Sequence, residues 1–237
     1  MLVAAAVCPC PPLLVPEVAS GAAPELDAAR AHCADALGVL AAARPDRLYV
    51  VGPVPQDAQG AFPAGSTGSF AGFGVDLSVR LGEGPGGRPL PAPLAVGAWL
   101  LSRTGGADAS GAAVEGFGIA ERATPEECAE AGRSLAASAG RVALLVLGDG
   151  SACRTVKAPG YLDERAAGFD AEAARVLGSA DVPGVLALDA GLAYELKAAG
   201  RAPWQVLAGA AEGAGLAGRL LYKDVPYGVE YLVAVWS

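Results

Sequence analysis

The hydrophobic and polar positions fall into short blocks, and the period of each block predicts an element. Leu2–Val7 is a continuous apolar run suited to a buried strand. Pro9, Pro11, Pro12 and Pro16 then hold the chain extended, because proline fixes φ and lacks an N–H. From Pro24 to Ala43 the apolar residues Leu26, Ala29, Cys33, Leu37 and Leu40 share one helical face, with Pro24 in the first turn. Arg47–Val51 predicts a second strand. Gly52–Gly74 has almost no periodicity and reads as a long loop, a type that is often functional. Val75–Leu81 alternates weakly, Gly82–Arg88 predicts a flexible tip, Leu94–Arg103 a short helix and Ala112–Ile119 a strand.

The second half is more sharply patterned. Thr124–Ala139 predicts a helix with Thr124 as N-cap, Pro125 in its first position and Glu127 at the box position. Arg141–Leu147 is the strongest strand and ends in Gly148-Asp149-Gly150. A loop follows to Gly160, then a helix over Asp163–Leu177 that Asp163 is placed to cap. Pro183–Leu188, Asp189–Ala199 and Pro203–Ala214 predict three further helices. Leu216–Tyr222 and Glu230–Trp236 predict two closing strands joined by a Pro226-Tyr227-Gly228 turn. Strands alternating with helices predict an α/β fold: one domain over residues 1–237, with a mostly parallel central sheet flanked by helices. No internal repeat or domain-sized linker interrupts it.

Composition narrows the chemistry. The 237 residues carry 17 basic and 25 acidic side chains, a net charge of −8. With no basic stripe, nucleic acid is not an expected partner. Charge, proline or glycine interrupts every long apolar stretch, so no membrane span is expected. The N-terminal run lacks a basic leader and reads as a strand, not a signal peptide. Five cysteines (Cys8, Cys10, Cys33, Cys128 and Cys153) form no CxxC pair, and reduced thiols in the cytoplasm are expected. The one histidine, His32, excludes any site needing two histidine ligands from one chain. On the first predicted helix it lies about 100° from the centre of the apolar face, and is expected at the surface.

Ligands of open α/β sheets gather at the carboxyl ends of strands. Three such ends stand out: Cys8-Pro9-Cys10-Pro11-Pro12, Gly52-Pro53-Val54-Pro55 and Gly148–Arg154. If their strands are neighbours, the three loops share one cleft, which the Pro226–Gly228 turn is placed to join. Cys10, Asp149 and Cys153 are the candidate catalytic residues. Ser151, Arg154, Lys157, Tyr161 and Tyr227 are the candidate ligand-binding residues. Arg154 and Lys157 could together grip an anion, or the segment could simply close a strand–helix connection. Cys8 and Cys10, two apart, share a face of an extended strand. With Cys153 and Asp149 they could hold a thiophilic metal, or Cys8 and Cys10 could both be small buried residues. Alternatively Cys10 or Cys153 could be a reactive thiol, although a histidine base is lacking. Gly68–Gly74 holds Phe70 and Phe73 among glycines, a lid or, preferably, a loop pinned by its rings.

These segments resemble a known family. Ala6–Glu17 (AVCPCPPLLVPE), Pro45–Pro55 (PDRLYVVGPVP), Leu144–Asp170 (LLVLGDGSACRTVKAPGYLDERAAGFD) and Leu220–Trp236 (LLYKDVPYGVEYLVAVW) are similar, in order, to stretches of the catalytic subunit of class III extradiol ring-cleaving dioxygenases, the LigB-like superfamily. The chain resembles a divergent, actinobacterial-type branch. The resemblance implies a cofactor, Fe(II), held by two histidines and a carboxylate, and a further histidine as acid/base. The matching positions here are Cys10, Val54 and Ala152. Glu195 falls loosely where a late glutamate ligand belongs, but reads better as a plain solvated helix residue. The expectation is therefore a LigB-like scaffold without its iron ligands. It would bind a small anionic or aromatic ligand or pair with a subunit, a homodimer included, and would need no resident cofactor. The alternative expectation is an enzyme with a site rebuilt around Cys10, Asp149, Cys153 and Arg154.

Overall fold

The computed structural model describes residues 1–104 and 111–237, the side chain of Thr104 excepted. Its centre is a seven-stranded mixed sheet. The strands are β1 (Leu2–Cys8), β2 (Arg47–Val54), β3 (Gly60–Phe62), β6 (Ala113–Ala120), β7 (Val142–Leu147), β8 (Gly218–Asp224) and β9 (Tyr231–Trp236), in the order β3-β6-β2-β7-β1-β9-β8. A separate ribbon pairs β4 (Thr67–Ser69) with β5 (Ser78–Arg80). β1, β2, β6 and β7 run parallel, and β3, β8 and β9 join antiparallel at the two sides. The α/β architecture with a mostly parallel central sheet is as the sequence predicts.

β7 lies at the centre because every one of its residues is apolar and buried. Unbroken apolar runs suit strands covered on both faces. One face carries the cluster of Val7, Val51, Val146 and Leu144. It is covered by α4 (Pro125–Ala137), α5 (Ala166–Gly178), α6 (Val182–Leu186) and α8 (Arg201–Ala211). The other carries Ala6, Cys8, Val50, Leu145 and Leu147, beneath α2 (Asp27–Ala42) and α3 (Ala92–Thr104). Two short helices, α1 (Pro16–Ala19) and α7 (Ala190–Glu195), lie in connections.

Local chemistry explains several boundaries. Thr124 and Glu127 form the expected capping box at α4: the Glu127 N–H donates to Thr124 Oγ1 at 3.2 Å, and the Thr124 N–H to Glu127 Oε2 at 2.8 Å. Asp189 caps α7 through the Leu192 N–H. Asp163 is the exception. Its carboxylate binds the Arg165 N–H and guanidinium, so α5 starts three residues later, at Ala166, with no side-chain cap. Pro24 sits in a 3-10 segment over Ser20–Leu26, and α2 starts only at Asp27. The long loop holds two short strands that its glycines hid from the periodicity. Phe70 is fully buried and pins it, while Phe73 is exposed. Among the described residues no helix is long and apolar enough to cross a membrane.

Candidate functional site

β1 and β2 both flank β7, so the three distinctive strand ends do converge. Register fixes which side chains meet there. Cys8 pairs with Leu147, and the Gly148 N–H donates to the Cys8 carbonyl, which brings Cys10 level with Asp149. Val51 pairs with Val146, which places Val54 level with Asp149 on the other flank. Alternate residues share a face, so Cys10, Asp149 and Val54 stand on the side of Cys8, Leu147 and Val50. Tyr231, first residue of β9, follows the parity of Val233 and Val235 and extends the row.

Asp149 is the chemical centre of that row. The Cys10 N–H donates to its Oδ1 at 2.9 Å. Its second oxygen has no protein partner among the described residues. Burial pushes its carboxyl up to about 7, opposed in part by the Cys10 hydrogen bond. A half-buried carboxyl that changes charge near neutrality can take or give a proton, or meet an incoming donor. Cys10 is 6% exposed, and burial, with the Asp149 and Glu121 charges, pushes its thiol well up. That is the reverse of a nucleophile's activation.

A cavity of about 320 Å³ opens beside Val54, where β2 and β6 end. Val54, Pro55 and Ala120 form its apolar wall, and Gln56, Glu121, Arg122 and Tyr194 its polar rim. The Arg122 guanidinium stacks 3.8 Å over the Tyr194 ring and has no carboxylate partner among the described residues.

The rest of the Gly148–Arg154 segment lies elsewhere. Ser151 and Arg154 join a buried ion cluster with Asp170 of α5 and Glu230. Ser151 gives its N–H to Asp170 Oδ1 at 2.8 Å and its hydroxyl to Oδ2 at 2.6 Å. One Arg154 nitrogen reaches Asp170 at 3.1 Å and Glu230 at 2.7 Å, and Lys223 stands 3.3 Å from Glu230. Burial raises the Glu230 carboxyl, the Asp170 charge adds to this, and Lys223 and Arg154 oppose it. Backbone bonds reinforce the junction: Gly150 N–H to the Glu230 carbonyl, Glu230 N–H to that of Ser151, and Arg154 N–H to that of Gly228. Ser151 and Arg154 thus fasten the loop to the start of β9.

Cys153 packs in the core cluster on the opposite face from Cys8 and Cys10, its thiol 3.4 Å from the Leu196 carbonyl. The structure therefore brings together Cys10 and Asp149 of the rebuilt site, and not Cys153 or Arg154. Among the described residues no three His, Cys, Asp or Glu side chains gather as a metal-ligand set. Lys157 and Tyr161 are exposed on the loop surface. Tyr227 is exposed too, and its hydroxyl donates to Glu25 Oε2 at 2.7 Å, tying the last turn to the segment before α2. Ala152 is buried, with its N–H on the Leu196 carbonyl. Glu195 forms a surface ion pair with Arg165, and His32 stacks on Tyr222 at the surface.

Sequence reading missed the residues that decide this geometry. Asp170 falls on the apolar face of α5, three and four residues from Ala173 and Ala166, which is itself a sign of a buried charge. Arg201 and Gln205, four apart on α8, carry the same sign. Arg201 is 2% exposed and donates to the Ala123 carbonyl at 2.6 Å and to Gln205 Oε1 at 2.9 Å. It also binds the Glu121 carbonyl, and so holds the strand end that presents Glu121 and Arg122. Tyr194, Arg122 and Tyr231 had no such mark.

No family model and no curated protein matches the sequence. Among solved structures, the chain is similar in fold to the crystal structure of the uncharacterized protein JW3007 from Escherichia coli K12, with a TM-score of 0.52 and 14% identity over 99% of each chain.

Proposed function

We propose that this chain is a divergent LigB-like protein that keeps the strand-end cleft of its fold and binds a small aromatic or anionic molecule there, without ring-cleaving iron chemistry. One observation carries the reading. The row Val54–Asp149–Cys10 occupies the carboxyl ends of three adjacent strands, and a cavity of about 320 Å³ opens at Val54. Two of the three positions where the resembling family holds histidine, Cys10 and Val54, stand in this row. Neither offers an imidazole, and the Cys10 thiol is held protonated by burial. Donors suited to ferrous iron, two imidazoles and a carboxylate, are not the donors present.

The rim supports an aromatic or anionic ligand. A guanidinium without a carboxylate partner among the described residues and laid on a tyrosine ring is arranged to meet a carboxylate or phenolate in plane with a stacked ring. The apolar wall supplies the burial that small-molecule sites use.

The test is ligand-induced thermal stabilisation with benzoate and phenol derivatives, alongside oxygen uptake with catechols and added ferrous iron. Stabilisation is expected in the wild type and is expected to be lost in Val54→Trp, which fills the cavity, and weakened in Arg122→Gln. No iron-dependent oxygen uptake is expected. Sustained catechol-dependent uptake, or stabilisation indifferent to both substitutions, would overturn the proposal.

A further inference from the structure

The cation and the ring at the cavity mouth stand on segments far apart in the chain. Arg122 follows β6, and Tyr194 lies on α7. The guanidinium sits 3.8 Å over the ring, and both side chains are exposed. An exposed cation–π pair is a weak interaction and does not by itself fix two surface side chains. The segments that carry them are held from below. Arg201 donates through Nη2 to the Glu121 carbonyl and through Nη1, at 2.6 Å, to that of Ala123. These are the carbonyls on either side of Arg122.

The same guanidinium carries the hold across to Tyr194. Its Nη1 donates to Gln205 Oε1 at 2.9 Å, and the Gln205 amide nitrogen lies 3.3, 3.0 and 3.1 Å from the carbonyl oxygens of Val185, Leu186 and Leu188. Val185 and Leu186 end α6, and Leu188 directly precedes Asp189, the cap of α7. Arg201 is 2% exposed and Gln205 is fully buried. Arg201 has no carboxylate partner among the described residues, and its Nε has no hydrogen-bond partner there. For packing alone, an apolar side chain would serve this position better than an uncompensated cation.

We infer that Arg201 and Gln205 are positioning residues, a buried bridge that sets the Arg122–Tyr194 stack at the cavity mouth and so readies it for an anion. The inference rests on the reading of that cavity as a small-molecule site. Neither residue lines the cavity. They act through the backbone on each side of it. The stack is therefore formed before a ligand arrives, and binding does not have to order it.

The experiment follows the Arg122 Nε–H resonance, which the Tyr194 ring current shifts, in the wild type, Arg201→Met, Gln205→Met and Tyr194→Leu. Benzoate affinity and melting temperature are measured alongside. In each methionine variant the resonance is expected to move toward its Tyr194→Leu position, and benzoate affinity to fall several-fold, in protein that still melts cooperatively. Side chains that only pack the core would alter the melting temperature and leave this resonance in place. A resonance unmoved in both folded variants, or a benzoate affinity equal to that of the wild type, overturns the inference. The wild type is a test even if neither variant folds. With both segments held, its ring-current shift is expected to persist in high salt and on warming to just below unfolding. A shift that averages away under either condition overturns the inference. If the resonance moves as expected and benzoate does not bind the wild type, the bridge's hold on the stack stands and the small-molecule reading falls.

Discussion

The backbone N–H of Cys10 points at the carboxylate of Asp149 across 2.9 Å, joining the ends of two parallel strands with a bond that no strand ladder supplies. It satisfies one oxygen of Asp149. It does not offset the burial that moves the carboxyl from its usual 3.8 up to about 7.

That shift makes Asp149 a stability liability at high pH. The folded chain holds this proton more tightly than the unfolded chain does. Between about pH 4 and about pH 7 the folded state therefore binds more protons, and stability falls as pH rises. Asparagine keeps an acceptor for the Cys10 N–H and has no charge to bury. Asp149→Asn is expected to be more stable than the wild type at pH 8, by about 1–2 kcal/mol after solvent screening at a half-buried site, and close to it at pH 4. Urea denaturation at the two pH values measures this. A deficit larger at pH 8 than at pH 4 would show that the carboxylate is stabilising.

The Arg154 cluster responds in the opposite sense. Asp170 and Glu230 are both fully buried, and Arg154 touches both. Removing a shared partner leaves charges without compensation in the interior, which costs about 3–5 kcal/mol. Arg154→Met is expected to lose about 3 kcal/mol at pH 8. The loss should shrink toward pH 5, because the Glu230 carboxyl is already raised and can take a proton once its partner is gone. A pH-independent loss would point to packing instead of charge.

Much of this architecture is legible in the chain. β7 declares itself as an apolar run covered on both faces, and the Thr124–Glu127 box marks the start of α4 from side-chain chemistry alone. Such features are local: the residues that cause them are neighbours in sequence. The site is not local. That Cys10 meets Asp149 and not Cys153 follows from strand order and from which face each residue takes after its strand ends. That Arg154 is engaged with Glu230, 76 positions away, is invisible until β9 is placed. Polar residues in an exposed-looking loop read as ligand contacts, yet two of them, Ser151 and Arg154, fasten the loop from within. The useful sign was a charge on an apolar face, as at Asp170.

Helix α4 shows how a tertiary contact can reverse a local preference. In an isolated helix, replacing glycine by alanine stabilises by about 1 kcal/mol. A Cβ on Gly132 would lie 2.0 Å from the Val206 carbonyl oxygen and 2.6 Å from the Ala210 nitrogen of α8. Backbone atoms cannot step aside as a side-chain end can, so the helices would have to separate. Gly132→Ala is expected to destabilise by about 3 kcal/mol or more, with a fall in melting temperature. A rise would mean that α4 and α8 are not in this contact.

All five cysteines are buried, and their environments oppose thiolate formation where a shift is evident. Burial lifts the Cys128 thiol to about 11 and raises that of Cys153; at Cys8 the hydrogen bond with Cys33 and burial act together, and at Cys10 burial acts with the Asp149 charge. The attacking species in disulfide exchange is the thiolate, and it needs access. Native protein at pH 7.5 is therefore expected to react with a chromogenic disulfide no faster than it opens, while urea-unfolded protein releases five equivalents at once. The Cys10→Ser variant should leave the native rate unchanged. A single fast equivalent in the native state that disappears in Cys10→Ser would identify an accessible thiol beside Asp149, and would move the chemistry of this cleft from binding toward nucleophilic attack.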